Sequence, residues 1–255
     1  MKTKKFLAFS CTHHPLHDPE AIEWLFKQIK DFKPEVLVNL GDGLEADAAS
    51  RFPSEHSFTL EEEYDSHNAF LQRLVDATPN AKRVYMEGNH CLNIREEDRI
   101  SKKVRSLCDY RKHQPALKEF KWYPYDYSKK GIFRLGQITF FHGFEAGQSS
   151  GRMQAVLLGK PHGLTVSGHT HRPEHVTRVE LTKGVPLPYW YANTGTLRTM
   201  ECNFMKRKRS HSWGQAVVVG EAQVTQSPRE KRCWDAETRV FRMADDEIYG
   251  KVKLK

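Results

Sequence analysis

Five short polar motifs follow one another along the chain: Cys11-Thr12-His13, Gly41-Asp42, Gly88-Asn89-His90, His142-Gly143 and Gly168-His169-Thr170-His171. Nearly all of them come directly after a short apolar run, and this alternation constrains the fold more than any other feature. A short apolar run reads as a buried strand, and a polar group just past its end is held by a rigid scaffold yet free to face a ligand. Imidazoles, a carboxylate and a carboxamide delivered in this way can converge on metal ions.

The segments between the motifs have their own signals. Lys5 to Ser10 reads as a strand, and Asp18-Pro19-Glu20 then opens a helix, with Asp18 as N-cap, Pro19 at the first helical position and Ile22, Leu25, Phe26 and Ile29 on the inner face. Glu35 to Leu40 is the next strand. Thr59-Leu60-Glu61-Glu62 has the form of a capping box ahead of a helix with Leu60, Tyr64, Phe70, Leu71 and Leu74 among its apolar positions. Ala81 to Met86 returns as a strand. A further helical stretch follows around Ile100, Val104 and Leu107, and then an aromatic loop from Trp122 to Tyr127.

The remainder reads mostly as strands. Ile132 to Leu135 and Gln137 to Phe141 form a hairpin around Gly136, Leu164 to Ser167 is a short strand, and others are expected at His175 to Leu181, Tyr189 to Ala192, Gln215 to Gly220 and Thr238 to Met243. The expected fold class is α/β, a four-layer αββα sandwich of two sheets with a largely helical insertion. We expect a single domain over residues 1–255, with helical insertions at about 44–80 and 91–130 and a C-terminal β extension at about 213–255.

Taken together, the motifs resemble those of the calcineurin-like metallophosphoesterase family: D-x-H, G-D, G-N-H, a histidine before glycine, and G-H-x-H. The resemblance runs from about Lys4 to Thr196, and four of the five motifs match in full and in order. It implies a dinuclear centre in which Asp42 bridges two ions. Cys11, His13 and His171 would complete the first site, and Asn89, His142 and His169 the second. The family's chemistry is hydrolysis of a phosphate ester by a metal-bridging hydroxide, with His90 donating a proton to the leaving oxygen or stabilising it.

Cys11 stands where the family has its first aspartate. A bound metal deprotonates a thiol, so the negative charge is kept, but sulfur favours softer ions than a carboxylate does. The expectation is therefore Zn or Fe at the site with Cys11 and Mn, Zn or Fe at the second. The alternative is that Cys11 does not ligate, leaving His13, Asp42 and His171 as a three-residue site. Cys91, directly after His90, reads as packing or as support for the ligands. His14 and His17 are expected at the surface or at the entrance.

Composition bounds the remaining possibilities. The 255 residues, 38% hydrophobic and 28% charged, are enough for a substantial core. The apolar run Phe6 to Phe9 is too short for a signal peptide, and no stretch approaches the roughly 20 apolar residues of a membrane span. The expected location is cytoplasmic, with no membrane partner. Five scattered cysteines without a C-x-x-C pair suggest neither a disulfide framework nor a closed zinc site.

The net charge of +8 favours an anionic partner. Residues 198–212 carry five basic side chains, Arg198, Lys206, Arg207, Lys208 and Arg209, against one acidic, so this stretch supplies half of that charge. It reads either as a strip that holds a nucleic-acid backbone or as a solvated loop. Three functions follow: a phosphodiesterase or nuclease, a phosphatase or phosphodiesterase on a small nucleotide or phosphoprotein, and a non-catalytic nucleic-acid-binding protein with an altered metal centre.

Overall fold

In the strand β1 (Lys2–Phe9) the half from Phe6 to Phe9 is apolar on both faces because both faces are covered. Leu7 and Phe9 meet helices on one side, while Phe6 and Ala8 meet a second sheet on the other. The computed structural model describes residues 2–50, 56–95, 108–126, 128–145, 147, 149–200, 212–224, 237–243 and 248–253.

β1, β2 (Val36–Asn39), β3 (Lys82–Met86) and β4 (Lys121–Tyr123) run parallel, with Phe9 level with Asn39 and Asn39 level with Tyr85. Parallel neighbours need a crossover, and two helices supply it. The first, α1 (Pro19–Phe32), begins where expected, with the Asp18 carboxylate accepting from Glu20 N at 2.9 Å and Ala21 N at 3.3 Å. The second, α2 (Leu60–Ala77), opens with the Thr59–Glu62 capping box.

The stretch read as an insertion at about 44–80 thus contains the β2-to-β3 crossover, and α2 joins α1 in one outer layer. Phe70, Leu71 and Leu74 are buried against the sheet. Each contributes about 2 kcal/mol by leaving water. Between β3 and β4 lie the one-turn helices α3 (Leu92–Arg95) and α4 (Tyr110–His113). Ile100, Val104 and Leu107 fall outside the described residues.

The aromatic segment is corrected. Trp122 and Tyr123 belong to β4, an edge strand paired with β3, and only from Pro124 does the chain become a loop.

In the second sheet, β5 (Phe133–Leu135) and β6 (Ile138–Phe140) form the expected hairpin around Gly136, whose φ is 60°. Next to β6 come β7 (Leu164–Ser167), β9 (Val185–Thr194) and the edge strand β8 (Pro173–Thr182). β6, β7 and β9 are mutually parallel, so their carboxyl ends point the same way.

The helix α5 (Ser150–Leu158), unexpected from the sequence, covers the outer face of this sheet. It docks through Ala155 and through Gly151, where a Cβ would lie 2.1 Å from the Tyr191 ring. The four layers are therefore α1 and α2, the first sheet, the second sheet, and α5. The chain's last strands, β10 (Ala216–Val224), β11 (Glu237–Arg242) and β12 (Ile248–Lys253), extend the first sheet antiparallel beyond β1. Among the described residues no helix is long and apolar enough to cross a membrane.

Candidate metal centre

The motifs leave the carboxyl ends of five strands, three mutually parallel in the first sheet and two in the second, where α/β sheets place their ligands. Cys11 and His13 follow β1, Asp42 follows β2, Asn89 and His90 follow β3, His142 follows β6, and His169 and His171 follow β7. Five of these residues, Cys11, His13, Asp42, His169 and His171, have φ between 50° and 67°. For residues with a side chain this left-handed backbone costs on the order of 1 kcal/mol each. The loops hold it with hydrogen bonds between motifs, such as Cys11 N to Gly41 O at 2.9 Å, His13 N to Asp42 O at 3.0 Å and Gly168 N to His142 O at 2.8 Å. Strain collected in this way is a mark of a functional site.

Ligand-capable atoms of Cys11, His13 and His171 lie within 4.8 Å of one another, as do those of Cys11, Asp42 and His142 and those of His13, Asp42 and His90. His13 Nε2 is 3.0 Å from His171 Nε2. On the other side, Asn89 Oδ1 is 2.8 Å from His169 Nδ1 and 3.1 Å from His142 Nε2. Asp42 lies between the two groups. It accepts from His90 N at 3.1 Å through Oδ1, and its Oδ2 is 3.0 Å from His142 Nε2. The Cys11 sulfur shares one set with His13 and His171 and another with Asp42 and His142. It accepts from Ser10 Oγ at 3.1 Å and from His169 N at 3.3 Å.

The donor set fits cations. His142 Nδ1 is 2.8 Å from Leu40 O, and a carbonyl only accepts, so the proton is on Nδ1. Nε2 faces a carboxylate oxygen and an amide oxygen, so it either carries a second proton shared with them or, as a lone pair, meets a metal ion with them. Three acceptors turned toward one another are satisfied by a cation among them. His13 is prepared in the same way: its Nδ1 donates to Glu45 Oε2 at 2.6 Å, which leaves the Nε2 lone pair pointing at His171.

Electrostatics agree with this pattern. The Cys11 thiol is the exception, since burial, reinforced by the Asp42 charge, pushes it up and away from the thiolate that ligation requires. Burial also lowers His13, puts His171 well below the usual histidine range, and takes His169 to about 4. For Asp42 burial alone would favour the acid, but His142 and His90 outweigh it and hold the carboxyl well below its ordinary range. Three neutral imidazoles around an ionised carboxylate are in the protonation state that metal ligation requires. His90 runs the other way: burial would lower it, and the Asp42 and Glu45 charges raise it.

Two residues gain a place that the motifs did not give them. Glu45 had not been singled out. Its carboxylate orients His13, and its backbone oxygen accepts from His90 Nδ1 at 2.5 Å. With burial outweighed by His13, its own pKa falls to about 2. Arg198 was read as part of a surface strip, but it is 3% exposed and lies beside Glu45, with Nη1 3.6 Å from Oε2. Lys206, Arg207, Lys208 and Arg209 fall outside the described residues.

His14 is also corrected. It is buried rather than at the surface, donating to or accepting from Ser66 Oγ at 3.0 Å and stacked on His17 at 4.2 Å, because His13 and Leu44 hold its loop down. Cys91 is buried as expected. Of the aromatic segment, Tyr125 reaches the centre, its ring 5.8 Å from that of His142.

No protein-family model matches the sequence, and no curated protein matches it. Solved structures do. Vps29 of Chaetomium thermophilum aligns with a TM-score of 0.51 at 11% identity, covering 99% of this chain and 100% of that one. YfcE, a phosphoesterase from E. coli, aligns at 0.49 and 16% identity, covering 98% of this chain and 100% of that one. The nuclease MPE of Pseudomonas putida aligns at 0.40 and 15%, covering 97% and 87%. At such identities a likeness shows the fold alone, here the two-sheet α/β sandwich shared with Vps29.

Proposed function

We propose that this chain is a metal-dependent phosphoesterase whose centre takes two transition-metal ions. The observation that carries the reading is the meeting of His142 Nε2 with Asp42 Oδ2 and Asn89 Oδ1, at 3.0 and 3.1 Å, with the proton of the ring held on the far nitrogen. Cys11, His13 and His171 would hold one ion, Asn89, His142 and His169 the other, and Asp42 would serve both. The ions would supply Lewis acidity at the phosphoryl group and an activated water.

The chain's own residues then have distinct tasks. Asp42, whose two oxygens face His90 N and His142 Nε2, would be shared by the two sites. Glu45 fixes the tautomer and direction of His13. His90, whose Nδ1 is committed to Glu45 O, keeps Nε2 for the leaving oxygen, to which it would pass a proton. Tyr125, at the His142 side, bounds the space left for the substrate.

Within this class a phosphodiester is the favoured substrate and a nuclease the favoured activity, supported by the net charge of +8 and the basic run at 206–209. The alternative is a phosphatase or phosphodiesterase acting on a small nucleotide or a phosphoprotein. Assays with Mn, Zn and Fe separate them: bis-p-nitrophenyl phosphate against p-nitrophenyl phosphate, then labelled single and double strands. The proposal expects diester turnover that His90→Ala abolishes. Turnover of the monoester alone, with no retention of nucleic acid at low salt, would remove the nuclease. No turnover in any metal, with His90→Ala indistinguishable from wild type, would leave a non-catalytic binding protein.

A further inference from the structure

Arg198 leaves the turn after β9 and buries its side chain against the wall of the centre formed by Glu45, His13, His90, His171 and Trp213. Its guanidinium carbon is 5.9 Å from the centre of the Trp213 ring, which in turn stands 4.4 Å from the His171 ring. Its Nη1 is 3.6 Å from Glu45 Oε2, an oxygen that already accepts from His13 Nδ1 at 2.6 Å. Arg198 Nε is buried with no hydrogen-bond partner among the described residues.

A guanidinium kept to neutralise Glu45 would close on it at roughly 2.7–2.9 Å, and in two-pronged fashion. This one does not. A buried cation whose Nε has no partner among the described residues, and whose Nη1 stands 3.6 Å from Glu45, calls for a closer anion, and the planar guanidinium matches the oxygens of a tetrahedral oxyanion. The place is also right, because the same wall carries two of the candidate ligands, His13 and His171, and the candidate acid, His90.

We propose that Arg198 anchors a tetrahedral oxyanion at the His13–His171 side of the centre, and that in the phosphoesterase reading, on which the word substrate rests, this oxyanion is the reacting phosphoryl group. A single buried fork holds one phosphoryl group. It does not track a polymer backbone as an exposed strip would, so Arg198 acts at the reacting group whatever carries it.

The test is calorimetric titration of inorganic phosphate into Mn-loaded wild type, Arg198→Lys and Arg198→Met, with metal content and melting temperature recorded for each. Loss of a charge-assisted hydrogen-bond pair should raise the phosphate Kd of Arg198→Met by about tenfold or more, with Arg198→Lys between, and leave the metal content unchanged. A Kd within about twofold of wild type overturns the proposal. So does loss of metal from Arg198→Met, since Arg198 would then be a support of the centre. If that variant does not fold, Arg198→Lys decides alone: an unchanged Kd overturns the anchor and a weaker one supports it. Arg198-dependent phosphate binding in a protein that hydrolyses no ester would sink the phosphoesterase reading and keep the anchor.

Discussion

Replacing Gly88 by alanine should disable the centre without disturbing the fold. Gly88 has φ −103° and ψ −178°, extended backbone that any residue adopts, so the substitution carries no conformational penalty. Space is the obstacle. A Cβ there would stand 2.0 Å from Asp42 Oδ1 and 2.5 Å from Asp42 N. Carbon and oxygen approach comfortably to roughly 3.3 Å, so the carboxylate must move by about 1 Å. The Asp42 backbone cannot slide away freely, because its oxygen accepts from His13 N at 3.0 Å. Reacting groups tolerate about 0.5 Å, and a 1 Å error costs about 100-fold in rate. We therefore expect Gly88→Ala to lose about 100-fold in kcat/KM and to retain less metal than wild type after gel filtration. Alanine reduces the conformational entropy of the unfolded chain, which favours the fold by about 0.4–1 kcal/mol, and the clash costs about 1–3, so the net loss of stability should stay near 1–2 kcal/mol. Gly147→Ala, whose added Cβ would meet nothing within 4 Å among the described residues, is the control. Wild-type metal content and activity in Gly88→Ala would refute the placement of Asp42.

Three further outcomes follow from the same geometry. Glu45→Gln removes the charge that orients His13 and should weaken metal binding by about 10–100-fold; an unchanged metal Kd would deny Glu45 that role. Cys11→Asp should shift the metal preference from Zn toward Mn in a competition experiment, and Cys11→Ser should lose metal; unchanged content in the serine variant would defeat ligation by sulfur. Leu71→Ala, deep between α2 and the first sheet, should cost about 2–5 kcal/mol in denaturant titration, and a loss under about 1 would contradict the packing of α2.

Much of the fold could be read from the sequence because local and global signals agreed. Asp18-Pro19 marks the start of α1, Thr59 and Glu62 that of α2, and Gly136 the β5–β6 hairpin. α5 was illegible for a physical reason. It docks through Ser150, Gly151, Gln154 and Ala155, while its large apolar side chains Met153 and Leu157 stay exposed, so the usual hydrophobic stripe points the wrong way. The early part of β9 was hidden by Pro186 and Pro188, which are tolerated because pairing with β7 begins only at Trp190.

The site divides along the same line. Motif residues announced themselves by following strands. Glu45 did not, because its meaning depends on a loop that turns its carboxylate back onto His13; its only sequence trace is its position three residues after Asp42. Arg198 was legible as a charge but not as a buried one, since burial is decided by Glu45 and Trp213 in space.

The central claim is that Asp42 lies between two ions. Crystals grown with Mn, measured for anomalous scattering, test it directly. The account predicts two peaks roughly 3.5–4 Å apart, one against His13 and His171 and the other against Asn89, His142 and His169, with Asp42 touching both. No peak at Asp42, or a single ion bound elsewhere, would contradict it.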